Sequence, residues 1–394
     1  MKILYLCADP GVPIFGRKGC STHVRENCLT LKSLGHDLRI ICTNIDGDDS
    51  GREILDPILV PPARSRKLGF DLRHIVNDRR VARAARRLMA QWKPDAIYER
   101  YSLYSLTGTN LARRQRIPHL LEANAFMTVE QKSRIRLMPL ARWCERRIFR
   151  RSRHVVVVSD PLVKEVAALR GGEEGITRMP MAVNLGHFNP GVSGAEVRAA
   201  RGWEKKFVLG YIGTLTGWHG IKLLYDLAAR LREGGITDFV IMLVGGDEKR
   251  LAVHRQKVAE AGLEEVICFL GPVPYQDVPR YIRAMDVAMV PDTTIWSSPA
   301  KLFEYQGCAV PVLAPRYPAI ERAMTHGVEG LVFEPRSVAD MAEKAMELFR
   351  DPERRIEMGR QGRKRAETFH SWEAQGRRVI EIFERQSSSL RGCK

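Results

Sequence analysis

Short apolar runs and amphipathic stretches alternate along the whole chain. Residues 2–8, 38–43, 96–99, 119–122 and 155–158 are rich in Val, Ile and Leu and seldom switch between apolar and polar. Strands buried on both faces read this way, because neither face meets water. Stretches of helical spacing lie between them, such as 22–34, closed by Gly35. Strand then helix, repeated, predicts a parallel doubly wound sheet. The texture changes over 178–202, where Met179-Pro180, Gly186, Pro190, Gly191 and Gly194 mark a loop. The alternation then restarts, with apolar runs at 207–213, 239–245, 266–271, 287–291, 311–314 and 330–333 and a helical stretch at 221–233. A chain of 394 residues suits two such domains better than one core. The expected division is an N-terminal domain over 1–185 and a C-terminal domain over 186–371. A last helix over 372–390 is expected to cross back onto the first domain, with the tail frayed from Ser387. Open parallel sheets bind ligands outside the carboxyl ends of their strands. Two α/β sheets facing across a cleft would therefore place the site in that cleft.

Charge adds to this picture. The chain holds 63 Lys and Arg against 46 Asp and Glu, a net charge of +17, and the excess is concentrated. Residues 64–87 carry nine basic side chains against two Asp, and residues 132–153 carry nine against one Glu. Phe70, Leu72, Leu88, Leu137, Leu140 and Trp143 lie among them. Solvated helix faces account for such stretches, and so does adsorption to an anionic membrane, where each basic residue contributes about 1 kcal/mol. Nucleic acid is not expected, since no basic motif interleaved with aromatics is present. No apolar run approaches the roughly 20 residues that span a bilayer. The first residues read as a strand and lack the three-part layout of a secretory signal. The eight cysteines show neither C-x-x-C nor Cys/His ligand spacing. Free thiols in a reducing cytosol follow, with the protein cytoplasmic and peripheral on the inner face of the membrane.

Two stretches carry candidate chemistry. Gly11, Gly16 and Gly19 lie between the first strand and the first helix, with Lys18 between the last two. Glycines let backbone N–H groups approach an anion, and the helix N-terminus adds a favourable field. A flexible turn capped by Ser21 or Thr22 is the plainer reading. The second stretch runs from Trp296 to Tyr305. Ser298 is expected to cap a helix and Pro299 to take its first position. The N–H groups of Ala300 and Lys301 would then point out of the helix start at the sheet's carboxyl edge. A phosphate there gains those bonds, the helix dipole and the Lys301 ammonium. Glu304, one turn deeper, offers a carboxylate to ribose hydroxyls; the plainer reading is a surface Lys301–Glu304 pair. Asp46-Gly-Asp-Asp49 has the look of a D-x-D metal motif but reads as a turn. Ser159-Asp160-Pro161 reads as a helix cap, and His23 is a further catalytic candidate.

The run Ser298-Pro-Ala-Lys-Leu-Phe-Glu-Tyr305, followed by Gly307-x-x-Val-Pro-Val-Leu-Ala314, resembles the donor-binding helix of glycosyltransferase family 4, which has the GT-B fold. Gly213-Thr-Leu-Thr-Gly-Trp-His-Gly220, Leu243-Val-Gly-Gly-Asp247, Phe269-Leu-Gly-Pro-Val273, Asp286-Val-Ala-Met-Val-Pro291 and Gly327-x-x-Gly-Leu-Val-Phe333 agree in order and spacing. Tyr98-Glu-Arg-Tyr101, Leu121-Glu-Ala-Asn-Ala125 and Glu130 resemble one branch of the family. The resemblance implies two Rossmann-like domains and retaining transfer from a nucleoside diphosphate sugar, a UDP-sugar first and a GDP-sugar second. No metal and no other cofactor is implied. Glu304 would bind the ribose, Val273 would lie beside the base, and Ser298 with the backbone of Pro299, Ala300 and Lys301 would take the diphosphate. The loop of Gly16, Lys18 and Gly19 would close over it. Arg100, Glu122 and Asn124 would line the sugar or acceptor side, and the acceptor would be a lipid-linked or cell-surface glycan.

Two departures stand out. The family's first of two glutamates eight positions apart falls at Trp296. Its usual Arg and Lys on the loop after the first strand of the second domain fall at Thr214 and His219. Those cations stabilise the leaving diphosphate, so Lys301 and Lys18 are the expected substitutes, with His219 sharing the load if protonated. Otherwise His219 is a loop histidine packed on Trp218, and Glu122 a strand-end partner for a helix cap. Two other readings remain: a decayed, non-enzymatic nucleotide-sugar-binding module, and a GT-B nucleotide-sugar epimerase. The second needs carboxylates on both faces of the sugar, and the loop 213–220 has none.

Overall fold

In the computed structural model, residues 1–16, 19–47, 51–63, 68–295 and 297–392 are described. The chain divides into two compact units, one of residues 1–180 with 372–394, the other of Met181–Ser371.

The N-terminal unit runs β1 (Lys2–Cys7), α1 (Gly19–Ser33), β2 (Asp37–Cys42), α2 (Arg52–Leu55), β3 (Ile58–Leu59), α3 (Gly69–Gln91), β4 (Ala96–Arg100), α4 (Thr107–Gln115), β5 (His119–Ala123), α5 (Met127–Glu130), α6 (Met138–Arg151), β6 (His154–Val157), α7 (Asp160–Arg170) and β7 (Ile176–Arg178). Its seven strands are ordered β3-β2-β1-β4-β5-β6-β7 and every pair is parallel. β4 and β5 are buried at every position, as strands covered by helices on both faces must be. The order reverses direction between β1 and β4, which sets the switch point of a doubly wound sheet there.

The C-terminal unit runs α8 (Ala195–Ala199), β8 (Phe207–Ile212), α9 (Ile221–Glu233), β9 (Phe239–Val244), α10 (Glu248–Glu260), β10 (Ile267–Gly271), α11 (Val278–Arg283), β11 (Val287–Met289), α12 (Ala300–Gly307), β12 (Val312–Pro315), α13 (Pro318–Ala323), β13 (Gly330–Phe333), α14 (Val338–Arg350) and α15 (Pro352–Phe369). Its sheet is ordered β10-β9-β8-β11-β12-β13, again all parallel, with the switch point between β8 and β11. Leu209 and Tyr211 of β8 face one helical layer and Val208 the other, the two-residue alternation of a strand inside a sandwich. A last helix, α16 (Trp372–Gly392), packs on α1 in the N-terminal unit; Val379, Ile382 and Phe383 join that unit's core.

Four readings from sequence change. Residues 387–392 are helical rather than frayed, because α16 stays docked. α1 begins at Gly19, so Ser21 and Thr22 lie inside the helix rather than capping it. The edge strands β3 and β7 carry too few apolar residues to have been visible, at two and three residues long. Phe70 of the basic stretch is buried, whereas Leu72, Leu137, Leu140 and Trp143 are exposed. Residues 48–49 of the aspartate-rich turn lie outside the described residues. Among the described residues no group of three or more His, Cys, Asp or Glu could hold a metal ion, and no helix is long and apolar enough to cross a membrane.

Candidate functional site

In the C-terminal unit Lys301, Thr214 and His219 come together at the carboxyl end of β8, beside the switch point, whereas Val273 lies after β10. The chain turns sharply at Gly213, where φ is 150°. A Cβ on Gly213 would sit 2.9 Å from both Lys301 Nζ and the Tyr211 hydroxyl, so glycine is what leaves room for the lysine. Lys301 comes from the first turn of α12 and donates to the Tyr211 hydroxyl at 3.0 Å, with its ammonium 4.1 Å from the ring centroid. Tyr211 in turn donates to the Thr214 carbonyl at 3.0 Å. Burial pushes the Lys301 ammonium down to about 7, against the pull of Glu304. It is therefore not a surface lysine in a simple Lys–Glu pair.

His219 follows in the same turn. Its Nδ1 lies 2.6 Å from the Thr214 carbonyl oxygen. A carbonyl only accepts, so Nδ1 carries the proton and Nε2 is the ring's acceptor. Burial first, and the Lys301 charge second, push the imidazole down to about 3. His219 is thus neutral at pH 7, and the expectation that it shares the diphosphate charge as a cation is corrected. It does pack on Trp218, with ring centroids 3.6 Å apart.

The helix that carries Lys301 starts one residue later than expected. α12 begins at Ala300, and Pro299 holds the cap position with extended backbone. The Ser298 hydroxyl does not cap it; it accepts the Met181 N–H at 3.1 Å. Proline supplies no side-chain acceptor, so the first-turn N–H groups of Ala300 and Lys301 have no cap from it. Glu304 lies one turn on and is half-buried. Val273, in the loop after β10, is half-buried against the core. Trp296 lies outside the described residues.

Sequence reasoning missed two residues here. Tyr211 falls inside the apolar run 207–213, although a tyrosine two positions before a strand-ending glycine puts its hydroxyl at the sheet edge. Asp292 is 7% exposed and accepts from Thr293 N, the Tyr317 hydroxyl at 3.0 Å and Arg336 Nε at 3.1 Å. Its own N–H donates to the His219 carbonyl at 3.2 Å, which ties the loop after β11 to the loop after β8.

In the N-terminal unit the predicted residues meet at the carboxyl ends of β4 and β5. Glu122 is 2% exposed, with its carboxylate facing four donors: the Tyr98 hydroxyl at 2.7 Å, Arg100 Nη1 at 2.7 Å, Asn124 Nδ2 at 2.9 Å and His23 Nε2 at 2.9 Å. Burial alone would raise this carboxyl, but His23, Arg100 and Tyr98 outweigh it and hold it at about 2. Glu122 is accordingly the anionic hub that fixes Arg100, Asn124 and His23, and it caps no helix. Asn27 Nδ2 extends the network by donating to Tyr98 at 2.7 Å. Gly16 sits before α1 with no room for a side chain, since a Cβ would meet Pro13 at 2.6 Å and Ser21 Oγ at 2.9 Å. Gly19 opens α1 with free space around it. Lys18 lies outside the described residues.

Two family models cover most of the chain. "Glycosyl transferase 4-like domain" matches residues 18–182 and "Glycosyl transferases group 1" matches residues 195–365. The chain is similar to a D-inositol 3-phosphate glycosyltransferase of Kribbella flavida, 25% identical over 78% of this chain and 76% of the relative. It is also similar to a GDP-mannose-dependent alpha-(1-6)-phosphatidylinositol monomannoside mannosyltransferase of Mycolicibacterium smegmatis, 24% identical over 63% of this chain and 66% of that one. Among solved structures, sucrose-phosphate synthase of Thermosynechococcus elongatus aligns with a TM-score of 0.77 at 18% identity, over 99% of this chain and all of that one. Anabaena HepE in complex with UDP aligns with a TM-score of 0.74 at 18% identity over all of both chains. These likenesses give the GT-B fold.

Proposed function

Since the chain belongs to the family 4-like glycosyltransferases, we propose that it moves a hexose from a nucleoside diphosphate sugar, a UDP-sugar, to a glycan acceptor with retention at the anomeric carbon. The observation that carries this reading is Lys301 at the β8 switch point, held by a neutral phenol and aimed where a diphosphate would lie. Breaking the anomeric C–O bond builds negative charge on the leaving diphosphate. A preorganised cation and the open N–H groups at the start of α12 meet that charge without reorganising. Binding of the anion would also draw the Lys301 ammonium back to its charged form. Glu304 takes the ribose and Val273 lies beside the base. His219, neutral with Nε2 accepting, suits a hydroxyl of the sugar better than a phosphate.

The N-terminal unit supplies the sugar and acceptor contacts through Arg100, Asn124 and His23, with Glu122 as their positioning residue. Exposed Leu137, Leu140 and Trp143, set among arginines, suit adsorption to an anionic membrane face in the cytoplasm. That placement, and the phosphatidylinositol monomannoside named for the Mycolicibacterium smegmatis relative, favour a lipid-linked or cell-surface glycan. The test is calorimetric titration of the full chain with UDP and with GDP in the absence of metal. One-to-one binding of UDP, tighter than GDP, is expected; binding of neither would overturn the reading, and tighter GDP would reassign the base.

A further inference from the structure

A cavity of about 1420 Å³ opens on the N-terminal unit at the opposite edge of its sheet. Met1, Asp95, Pro118 and Arg153 line it, and they immediately precede β1, β4, β5 and β6. It therefore lies at the amino ends of the strands, whereas Arg100 and Glu122 mark the carboxyl ends. The C-termini of α4, α6, α7 and α16 converge on it and bring arginines with them: Arg113 and Arg116 around the end of α4, Arg150, Arg151 and Arg153 around the end of α6, Arg170 from α7 and Arg391 from α16. Among the described residues only two carboxylates, Asp95 and Glu384, share the lining, and Asp95 already accepts the Lys2 N–H at 2.7 Å.

Arginines at helix C-termini are ordinary partners for the helix dipole, and three of these seven have such structural work. Arg150 Nε donates to the Leu169 carbonyl, Arg170 Nη1 to the Phe149 and Ser152 carbonyls, all at 2.7 Å, and Arg151 to Asn110 at 3.1 Å. Four helix ends at about half a negative charge each, together with two carboxylates, offset about four guanidinium charges. About three remain, and Arg113, Arg116, Arg153 and Arg391 have no hydrogen-bond or ion-pair partner for their side chains among the described residues. Burial first lowers the basicity of Arg151 and Arg153, and neighbouring guanidinium groups add to it, Arg147 and then Arg113 at Arg151 and Arg113 at Arg153. Guanidinium groups match phosphate oxygens in pairs.

We propose that this cavity is a second anion site, separate from the sugar-transfer machinery, which takes a ligand bearing two or more closely spaced phosphates. A surplus of about three positive charges matches such a group better than a single carboxylate. The room left beside the arginines accommodates an organic part. Neither the reading of the chain as a glycosyltransferase nor the role of Lys301 is needed for this site.

The test titrates inorganic pyrophosphate into the full chain at about 0.15 M salt, where exposed charges beyond about 8 Å are screened. Lys301→Ala removes the diphosphate contact proposed for donor binding, so the comparison is made in that background. One-to-one binding is expected to survive Lys301→Ala and to weaken at least tenfold when Arg113→Ala and Arg153→Ala are added. These two side chains are exposed and unpartnered, so an unchanged melting temperature without ligand is expected and separates lost binding from lost folding. Vesicles containing a lipid with a diphosphate headgroup form the second arm. Association lost with the same arginine substitutions assigns the phosphates to a lipid headgroup, and association unchanged assigns them to a soluble ligand. Equal pyrophosphate affinity with and without Arg113 and Arg153, or equal heat from sulfate at the same concentration, would overturn the proposal.

Discussion

The Lys301 ammonium sits 4.1 Å from the centroid of the Tyr211 ring and 3.0 Å from its hydroxyl, inside the space a Gly213 side chain would occupy. A cation over the ring of a fully buried tyrosine gains from the ring's quadrupole, while burial makes the ammonium easier to deprotonate. This pair stands at the point where the family's usual Arg and Lys are replaced by Thr214 and His219.

Affinity for UDP should therefore depend on pH through Lys301. With the free ammonium pushed down to about 7, the cation is present below that pH and lost above it. Calorimetry from pH 7 to 9 should show affinity falling, by up to about tenfold per pH unit. In Lys301→Arg the guanidinium stays charged, so the slope should vanish. A wild-type slope retained in that variant would remove Lys301 from the diphosphate contact.

Tyr211→Phe deletes the acceptor that aims Lys301 and the donor to the Thr214 carbonyl. We expect turnover to fall about tenfold or more while the fold persists, since the ring still packs in the sheet layer. Losing one hydrogen bond to a charged group costs about 1.5–3 kcal/mol. Steady-state kinetics with membrane extract as acceptor source reads this out, and an unchanged rate would show that Lys301 needs no such aim.

Glu122→Gln should weaken the N-terminal unit and flatten its response to acid. The carboxyl is held at about 2 against an ordinary 4.5, so the unfolded chain takes up the proton first as pH falls. The stabilisation is complete above 4.5 and lost toward 2, and a shift of that size corresponds to on the order of 3 kcal/mol. Denaturant melts at pH 7 and pH 3 should show a smaller difference for the variant than for the wild type. Equal differences would mean that the four-donor hub contributes no linkage.

Trp143→Ala combined with Leu140→Ala should reduce flotation with vesicles of anionic lipid severalfold while leaving UDP affinity unchanged. Both side chains are exposed on α6, at 53% and 38%, so their loss has little effect on folding. Flotation equal to that of the wild type would leave the basic face as a merely solvated one.

Much of the fold was legible because a doubly wound sheet writes itself into short apolar runs with helices between them. The central strands β1, β4, β5, β8 and β9 are buried on both faces, and that is a property of local composition. The edge strands β3 and β7 were not legible, since two or three residues at a sheet margin bury too little to leave a pattern. The starts of α1 and α12 were misjudged for a related reason. Ser21 and Ser298 are good caps in isolation, yet Ser21 lies inside α1 with its hydroxyl buried and unpartnered among the described residues, and the Ser298 hydroxyl accepts the Met181 N–H instead.

The sequence alone determined the alternation of strands and helices, the family and the candidate residues Lys301 and His219 that the fold brings together after β8. What only the tertiary structure decided is their state. That Lys301 is half-neutral, that His219 is neutral with Nε2 accepting and that Glu122 is a saturated hub each follow from burial and from partners far apart in the chain. Tyr211 and Lys301 are 90 residues apart, and Glu122 lies 22 from Arg100 and 24 from Tyr98. The same holds for the arginine cavity, assembled from four helix ends whose charges look like separate caps until the fold brings them to one edge of a sheet. Charge is additive in sequence, but its energy depends on distance and solvent, and those exist only once the chain has folded.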